Sequence, residues 1–215
     1  MHNNQIAILD YGVGNLESIN QALKSLGQST VVTHDANEVF AAAKLILPGV
    51  GSFPAAMKKL QSKNLLDIIH RYVRSGKPIL GICLGMQLLM EYGEEFTETP
   101  GLGLVKGRVV SLRKHHFGNK DRRLPNVGWY RVLPKIHGDS KLEFIVKSIE
   151  QTDYFYFTHS FVCEPTQKSN IVSTSQFGSI DFCSILRSEN IYGVQFHPEK
   201  SGSSGLRFLR NFISL

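Results

Sequence analysis

The stretch Pro78-Ile79-Leu80-Gly81-Ile82-Cys83-Leu84-Gly85-Met86-Gln87 decides the fold. Pro78–Ile82 is an apolar run of strand length, and a helical pattern begins at Leu84 with no linker between them. A strand with no polar alternation is buried on both faces, and one that turns at once into a helix belongs to a parallel, helix-covered sheet. The turn reads glycine, any residue, nucleophile, any residue, glycine. Gly81 and Gly85 allow a sharp turn that a Cβ would block. That turn lifts the Cys83 side chain clear of the backbone, the logic of a nucleophile elbow. The helix N-terminus beside it favours a thiolate and offers free N–H groups to an oxyanion. Free cysteines are usually small buried core residues. That bland reading suits Cys163 and Cys183, but not a cysteine set between two glycines.

The same alternation runs outward on the N-terminal side. Ile6–Leu9 is a strand, and a helix follows through Leu16, Ile19, Leu23 and Leu26. Thr30–Thr33 is a second strand, followed by a short helix near Glu38–Ala43. Leu45–Leu47 is a third strand, broken by Pro48-Gly49-Val50-Gly51. Helices are expected over Pro54–Lys59 and Leu65–Arg74, and over Leu84–Tyr92 after the elbow. Beyond it the character changes. Val105–Arg113, Trp129–Leu133, Tyr154–Cys163, Ile171–Gln176, Cys183–Arg187 and Ile191–Phe196 read as strands, mostly antiparallel, before a last helix at Gly205–Ile213. The expectation is one α/β domain over residues 1–215, a doubly wound, mostly parallel sheet with an antiparallel extension.

Composition agrees with such a domain. The chain has 215 residues, 42% hydrophobic and 20% charged, which excludes intrinsic disorder, collagen and coiled coil. No apolar run reaches the roughly 18 residues of a membrane span. Met1–Gln5 has no basic or apolar leader character, so no secretory signal is expected. Three widely spaced cysteines suggest neither a disulfide framework nor a zinc site, and a reducing cytoplasm is the simplest home. Lys and Arg number 24 against 18 Asp and Glu, a net charge of +6. The densest basic cluster is Arg113-Lys114-His115-His116 with Lys120-Asp121-Arg122-Arg123. No nucleic-acid-reading motif accompanies it, so a solvated loop or partner surface is expected.

A thiol nucleophile needs a base, and the base an orienter. His197, in Gly193-Val194-Gln195-Phe196-His197-Pro198-Glu199, comes just after an apolar strand, where a parallel-sheet enzyme places working residues. Glu199 lies two residues on and shares its side of an extended chain, so it can hold the imidazole in one tautomer. His159, in Thr158-His159-Ser160, is a rival base. His115 and His116 are adjacent, point apart in an extended segment and make a poor metal pair. Pro48–Ser52 can turn backbone N–H groups toward a ligand, completing an oxyanion hole with the Leu84 N–H. Gly12-Val13-Gly14 lacks the third glycine of a dinucleotide fingerprint, and Glu17 stands in its place. No metal and no cofactor are expected.

Three stretches together, Pro-Gly-Val-Gly at 48–51, Gly-Ile-Cys-Leu-Gly-Met-Gln at 81–87 and Gln-Phe-His-Pro-Glu-Lys-Ser at 195–201, resemble the class I, triad-type glutamine amidotransferases. Asp10–Leu16 and Tyr156–Ser160 are similar to the glutaminase subunits of imidazole glycerol phosphate synthases, enzymes of the histidine pathway. The resemblance covers essentially the whole chain. It implies a flavodoxin-like amidotransferase fold and a Cys83–His197–Glu199 triad that hydrolyses glutamine through a thioester. It further implies an oxyanion hole at Val50 and Leu84, and glutamine bound by Gly51, Gln87 and Glu95. Ammonia would pass to a (β/α)₈-barrel synthase subunit in a heterodimer, across a face at Asn15, Trp129, Tyr156 and Lys200. One segment departs. The family usually has Pro-His-Met-Gly-Trp-Asn where this chain has Pro125-Asn126-Val127-Gly128-Trp129-Tyr130, and the loop Lys114–Arg123 is long and basic. A paralogue supplying ammonia for amidination of a surface-polysaccharide sugar therefore stays open, as do a stand-alone cysteine hydrolase and an inactive scaffold.

Overall fold

Every residue of Ile6–Leu9, Ile79–Ile82 and Ile191–Val194 is buried, as strands covered on both faces must be. The structure is a computed structural model and describes residues 4–114, 123–135, 144–147 and 149–215. Its first half runs β1 (Ile6–Leu9), α1 (Leu16–Ser25), β2 (Thr30–Thr33), α2 (Ala36–Ala41), β3 (Lys44–Leu47), α3 (Phe53–Ser62), α4 (Leu65–Arg74), β4 (Ile79–Ile82) and α5 (Leu84–Leu88). The second half adds β5 (Met90–Gly93), β6 (Thr99–Pro100), β7 (Val105–Ser111), β8 (Asn126–Arg131), β9 (Leu133–Pro134), β10 (Tyr154–His159), β11 (Phe161–Pro165), β12 (Ile171–Phe177), β13 (Ile180–Ser188), β14 (Ile191–Val194) and α6 (Gly202–Ile213).

The main sheet has the order β2-β1-β3-β4-β14-β13-β12-β9. Its first five strands are parallel, which is the flavodoxin-like 2-1-3-4-5 order with β14 as the fifth strand. β13, β12 and β9 continue it antiparallel. Alternate residues feed two cores, as a period of two requires. Ile6, Ile8, Ile46, Leu80, Ile82 and Val194 face α1 and α6, meeting Leu23, Phe208 and Phe212. Ala7, Leu9, Leu45, Leu47 and Ile79 face α2, α3 and α4, meeting Val39, Leu60, Ile69 and Tyr72.

Three expectations need correction. The helix expected over Leu84–Tyr92 stops at Leu88, and Met90–Gly93 instead forms β5 between β6 and β7. Leu88, Leu89 and Met90 are all buried, so their apolarity fits either element, and long-range pairing with β7 decides. Tyr154–Cys163 is not one strand. It breaks at Ser160 into β10, paired with β8, and β11, paired with β7 in a separate four-stranded sheet. Trp129–Leu133 likewise divides between β8 and β9. In the basic segment Lys114 pairs with Glu94, which Arg108 also reaches at 3.3 Å. His115, His116, Lys120, Asp121 and Arg122 lie outside the described residues, as does the chain start at Met1–Asn3.

Candidate active site

Adjacent parallel strands end side by side, and here three of them carry the sequence motifs. Leu47 of β3 and Gly193 of β14 flank Gly81 of β4. Pro48–Gly51, Cys83 and Gln195–His197 therefore emerge together at the carboxyl edge, where ligands bind open α/β sheets.

The elbow works differently from the expectation. Gly81 and Gly85 do not take the left-handed backbone; Cys83 does, at φ 54° and ψ −111°. Such a conformation costs about 1–3 kcal/mol on a residue with a Cβ. The glycines serve close approach instead. A Cβ on Gly85 would stand 1.8 Å from the Leu47 carbonyl oxygen, and one on Gly81 would stand 2.6 Å from that of Gly85. Cys83 is anchored by its own N–H, which donates to the Val194 carbonyl at 2.7 Å. Its sulfur lies 3.9 Å from the Thr158 carbonyl and 3.6 Å from Gln195 Nε2.

His197 is held at both ends. Its N–H donates to the Tyr156 carbonyl at 2.9 Å, and ring Nδ1 lies 2.9 Å from Glu199 Oε1. Pro198–Lys200 is a single helical turn, which brings the carboxylate back under the ring. Both side chains are almost wholly buried, and Nε2, the nitrogen left for Cys83, has no hydrogen-bond partner among the described residues. Burial lowers the affinity of this imidazole for a proton. The Cys83 sulfur and the Glu199 carboxylate outweigh burial and push its pKa up to about 10. The ring is thus built to carry a proton beside the sulfur. The other two thiols are buried in the core, where burial drives Cys163 well up and pushes Cys183 to about 12.

The rival base is otherwise occupied. His159 Nδ1 lies 2.9 Å from the Phe161 carbonyl, and Nε2 lies 2.9 Å from Asn126 Nδ2. A carbonyl only accepts, so Nδ1 carries a proton. Burial above all, and the charge of His197, lower its pKa to about 4 against the ordinary 6.5. Below pH 6.5 the unfolded chain takes up a proton that the folded chain refuses, so stability falls as pH drops toward 4. At pH 4.5 this amounts to roughly 2–3 kcal/mol. Urea unfolding of wild type and His159→Gln at pH 7 and pH 4.5 should show a larger acid loss for wild type by about that amount.

Val50, Gly51, Cys83, Leu84, Gln87, Glu95 and His197 line one cavity of about 300 Å³. Glu95 reaches it from the turn after β5, and its Oε2 accepts the Phe53 N–H at the start of α3 at 2.7 Å. Tyr11 donates to the Pro48 carbonyl at 2.7 Å and so fixes where the Pro48–Gly51 segment begins. A larger hollow, about 720 Å³, lies at the opposite strand ends against Pro78, Asn190 and Tyr192, and among the described residues no cysteine or histidine lines it.

The expected partner face is a contiguous row only in part. Trp129 is half exposed and stacks edge-on to Tyr156 at 5.7 Å, while Lys200 Nζ sits 5.9 Å above the Tyr156 ring. Tyr156 in turn lies 6.4 Å from the His197 ring. Asn15 stands at the start of α1, which packs beside the Pro198–Lys200 turn, and its side chain makes no capping bond. The two unusual residues separate: Val127 points outward beside Trp129, and Asn126 is fully buried against His159. Sequence reasoning gave Gln195 and Tyr11 no role. For Gln195 the signal was its spacing, two residues from His197 on an extended chain and hence on the same face.

A thiol on a strained strand-to-helix turn, a histidine–carboxylate pair on the next strand and a glycine-rich loop on the strand before match one known family throughout. The family model for glutamine amidotransferase class-I matches residues 7–215, and this chain belongs to that family. The crystal structure of a glutamine amidotransferase superposes with a TM-score of 0.71 at 18% identity, over 98% of this chain and 99% of that one. PurLQS from Thermotoga maritima gives 0.72 at 19%, over 100% and 99%. Within the class the chain belongs with the HisH subunits of imidazole glycerol phosphate synthase. It is 37% identical over 210 residues to HisH 1 of Legionella pneumophila (strain Lens), covering 98% of this chain and 99% of the relative. HisH 1 of Methanococcus maripaludis is 42% identical over 219 residues, with the same two coverages. HisH of Sulfurimonas denitrificans is 42% identical over 209 residues, covering 96% of each.

Proposed function

We propose that this chain, a glutaminase subunit of imidazole glycerol phosphate synthase in histidine biosynthesis, releases ammonia from glutamine with Cys83, His197 and Glu199. The observation that carries the reading is the meeting of a strained Cys83 and His197 on the wall of one cavity, with Glu199 Oε1 2.9 Å from Nδ1 of that imidazole. The sulfur attacks the side-chain amide carbon of glutamine. His197, held in one tautomer by Glu199, gives its proton to the departing nitrogen and then takes one from the water that hydrolyses the thioester. The N–H groups of Val50 and Leu84 bind the oxyanion, and Gly51, Gln87 and Glu95 hold the glutamine. Ammonia passes to a (β/α)₈-barrel subunit docked over Asn15, Trp129, Tyr156 and Lys200. That subunit uses it on a phosphorylated ribulosyl nucleotide, and the pair works in the cytoplasm. The 1–215 chain is one glutaminase domain and uses no cofactor or metal.

A second reading, the sugar-amidinating paralogue, draws on Asn126 and Val127, since Val127 stands on the proposed docking face. The HisH relatives favour the first. The test measures glutamate release by the chain alone, with a histidine-pathway barrel subunit, and with that subunit plus an acceptor analogue. The isolated chain should be slow and the full complex about 100-fold faster, the worth of one oxyanion donor brought into place. Equal rates throughout would end the idea that docking brings an oxyanion donor into place. Failure to bind that barrel would move the assignment to the paralogue.

A further inference from the structure

The main-chain carbonyl of Phe161 fixes two buried side-chain amides in series, and the second ends on the nucleophile. A carbonyl only accepts, so the Gln87 atom 3.1 Å from Phe161 O is the donor nitrogen Nε2. That same nitrogen lies 3.0 Å from the Gln195 side chain, so the atom facing it there is the acceptor Oε1. Gln195 must then turn its NH₂ end the other way, and its Nε2 lies 3.6 Å from Cys83 Sγ. Turning either amide over would set oxygen against oxygen or N–H against N–H, so the orientation follows from the network itself. Gln195 is fully buried, where an amide is satisfied by fixed partners. On another side of the sulfur the Thr158 carbonyl, at 3.9 Å, can pair only with the protonated thiol.

We propose that Gln195 is a positioning residue for the glutaminase chemistry: its side-chain N–H holds the Cys83 sulfur as an anion before attack and receives it again when it leaves. This rests on the reading of Cys83 as nucleophile. In the first half-reaction a sulfur electron pair forms the C–S bond, the C–N bond breaks, and the nitrogen leaves as ammonia with the proton of His197. In the second, water oxygen bonds to the acyl carbon and gives a proton to His197. The C–S electron pair returns to sulfur, and the glutamic acid formed loses its proton to solvent. A thiolate is a far better hydrogen-bond acceptor than a thioester sulfur, so a fixed donor favours the anionic end of both halves. The end of β14 thus delivers the base and, two residues earlier, the donor.

The test uses the full chain. Alkylation of Cys83 by iodoacetamide is followed against pH by mass spectrometry of its peptide, in wild type and Gln195→Met. The variant's half-maximal rate should move up by about one pH unit, a roughly tenfold slower reaction below the midpoint, with the high-pH plateau kept. Superimposable profiles would overturn the proposal. Should the variant not fold, wild type labelled with ¹⁵N-glutamine serves instead. The Gln195 Nε2–H signal should titrate with the alkylation midpoint and lose that titration once Cys83 is alkylated. A signal blind to both would equally overturn it. Glutamine turnover by a Cys83→Ser variant is a separate readout. If it survived, the nucleophile reading would fall while both Gln195 measurements stood, so the two failures are distinguishable.

Discussion

Cys83→Ser is expected to remove glutamate release from glutamine, by roughly 10⁴-fold or more, while synthesis by the complex from added ammonium salt survives. The serine hydroxyl keeps the shape of the elbow, its strained backbone and the Val194 anchor. What it loses is an atom that ionises readily beside a protonated imidazole, and a neutral hydroxyl is a poor nucleophile there. The ammonium route bypasses this subunit, so its survival shows that the complex still assembles. The measurement is a pair of steady-state assays on one preparation, one with glutamine and one with ammonium salt. Glutamine-dependent turnover within a few-fold of wild type would remove Cys83 from the mechanism.

Glu199→Gln is expected to lower kcat by roughly 10²–10⁴-fold with a much smaller change in KM for glutamine. The side chain is buried and its Oε1 accepts from His197 Nδ1, leaving Nε2 free to take a proton. A glutamine there can donate its own N–H to Nδ1. The ring proton then sits on Nε2, and the nitrogen that should accept a proton no longer can. The interaction serves the transition state and not the bound glutamine, so the loss belongs in kcat. A defect confined to KM would instead make Glu199 a binding residue. The pH profile offers a second check. The carboxylate and the sulfur hold the imidazole pKa near 10, so the variant should lose its proton at lower pH than wild type.

The parallel half of the fold was legible because it is local. Each buried strand is a short apolar run followed by a helix stripe, and glycines mark the ends. Met90–Gly93 and the break at Ser160 were not legible, because only pairing with β7 and β8, distant in the chain, chooses their state. Of the candidate site, Cys83 and His197 follow strand ends marked by turn signatures, whereas Glu199 meets the imidazole through the helical turn Pro198–Lys200 and not along the extended chain expected. Gln195 and Tyr11 act through atoms supplied by other elements, Gln87 and Pro48, and no local pattern reveals such partners. Asn126 and Val127 are neighbours in the segment that departs from the family, beside Trp129. Alternation along β8 separates them, and the inward residue became a partner for His159.

The placing of β14 against β4 also sets when this molecule becomes reactive during its own synthesis. Gln195 and Cys83 are 112 residues apart in sequence, and the base lies further still. A nascent chain that has completed β4 and its elbow carries the thiol without Gln195, His197 or Glu199, for the ribosome has yet to add β5 through β14 and the turn beyond it. Only when the last strand slots between β4 and β13 does the sulfur meet its partners. If Cys83, His197 and Glu199 act as proposed, a chain cut short before β14 is expected to release no ammonia from glutamine.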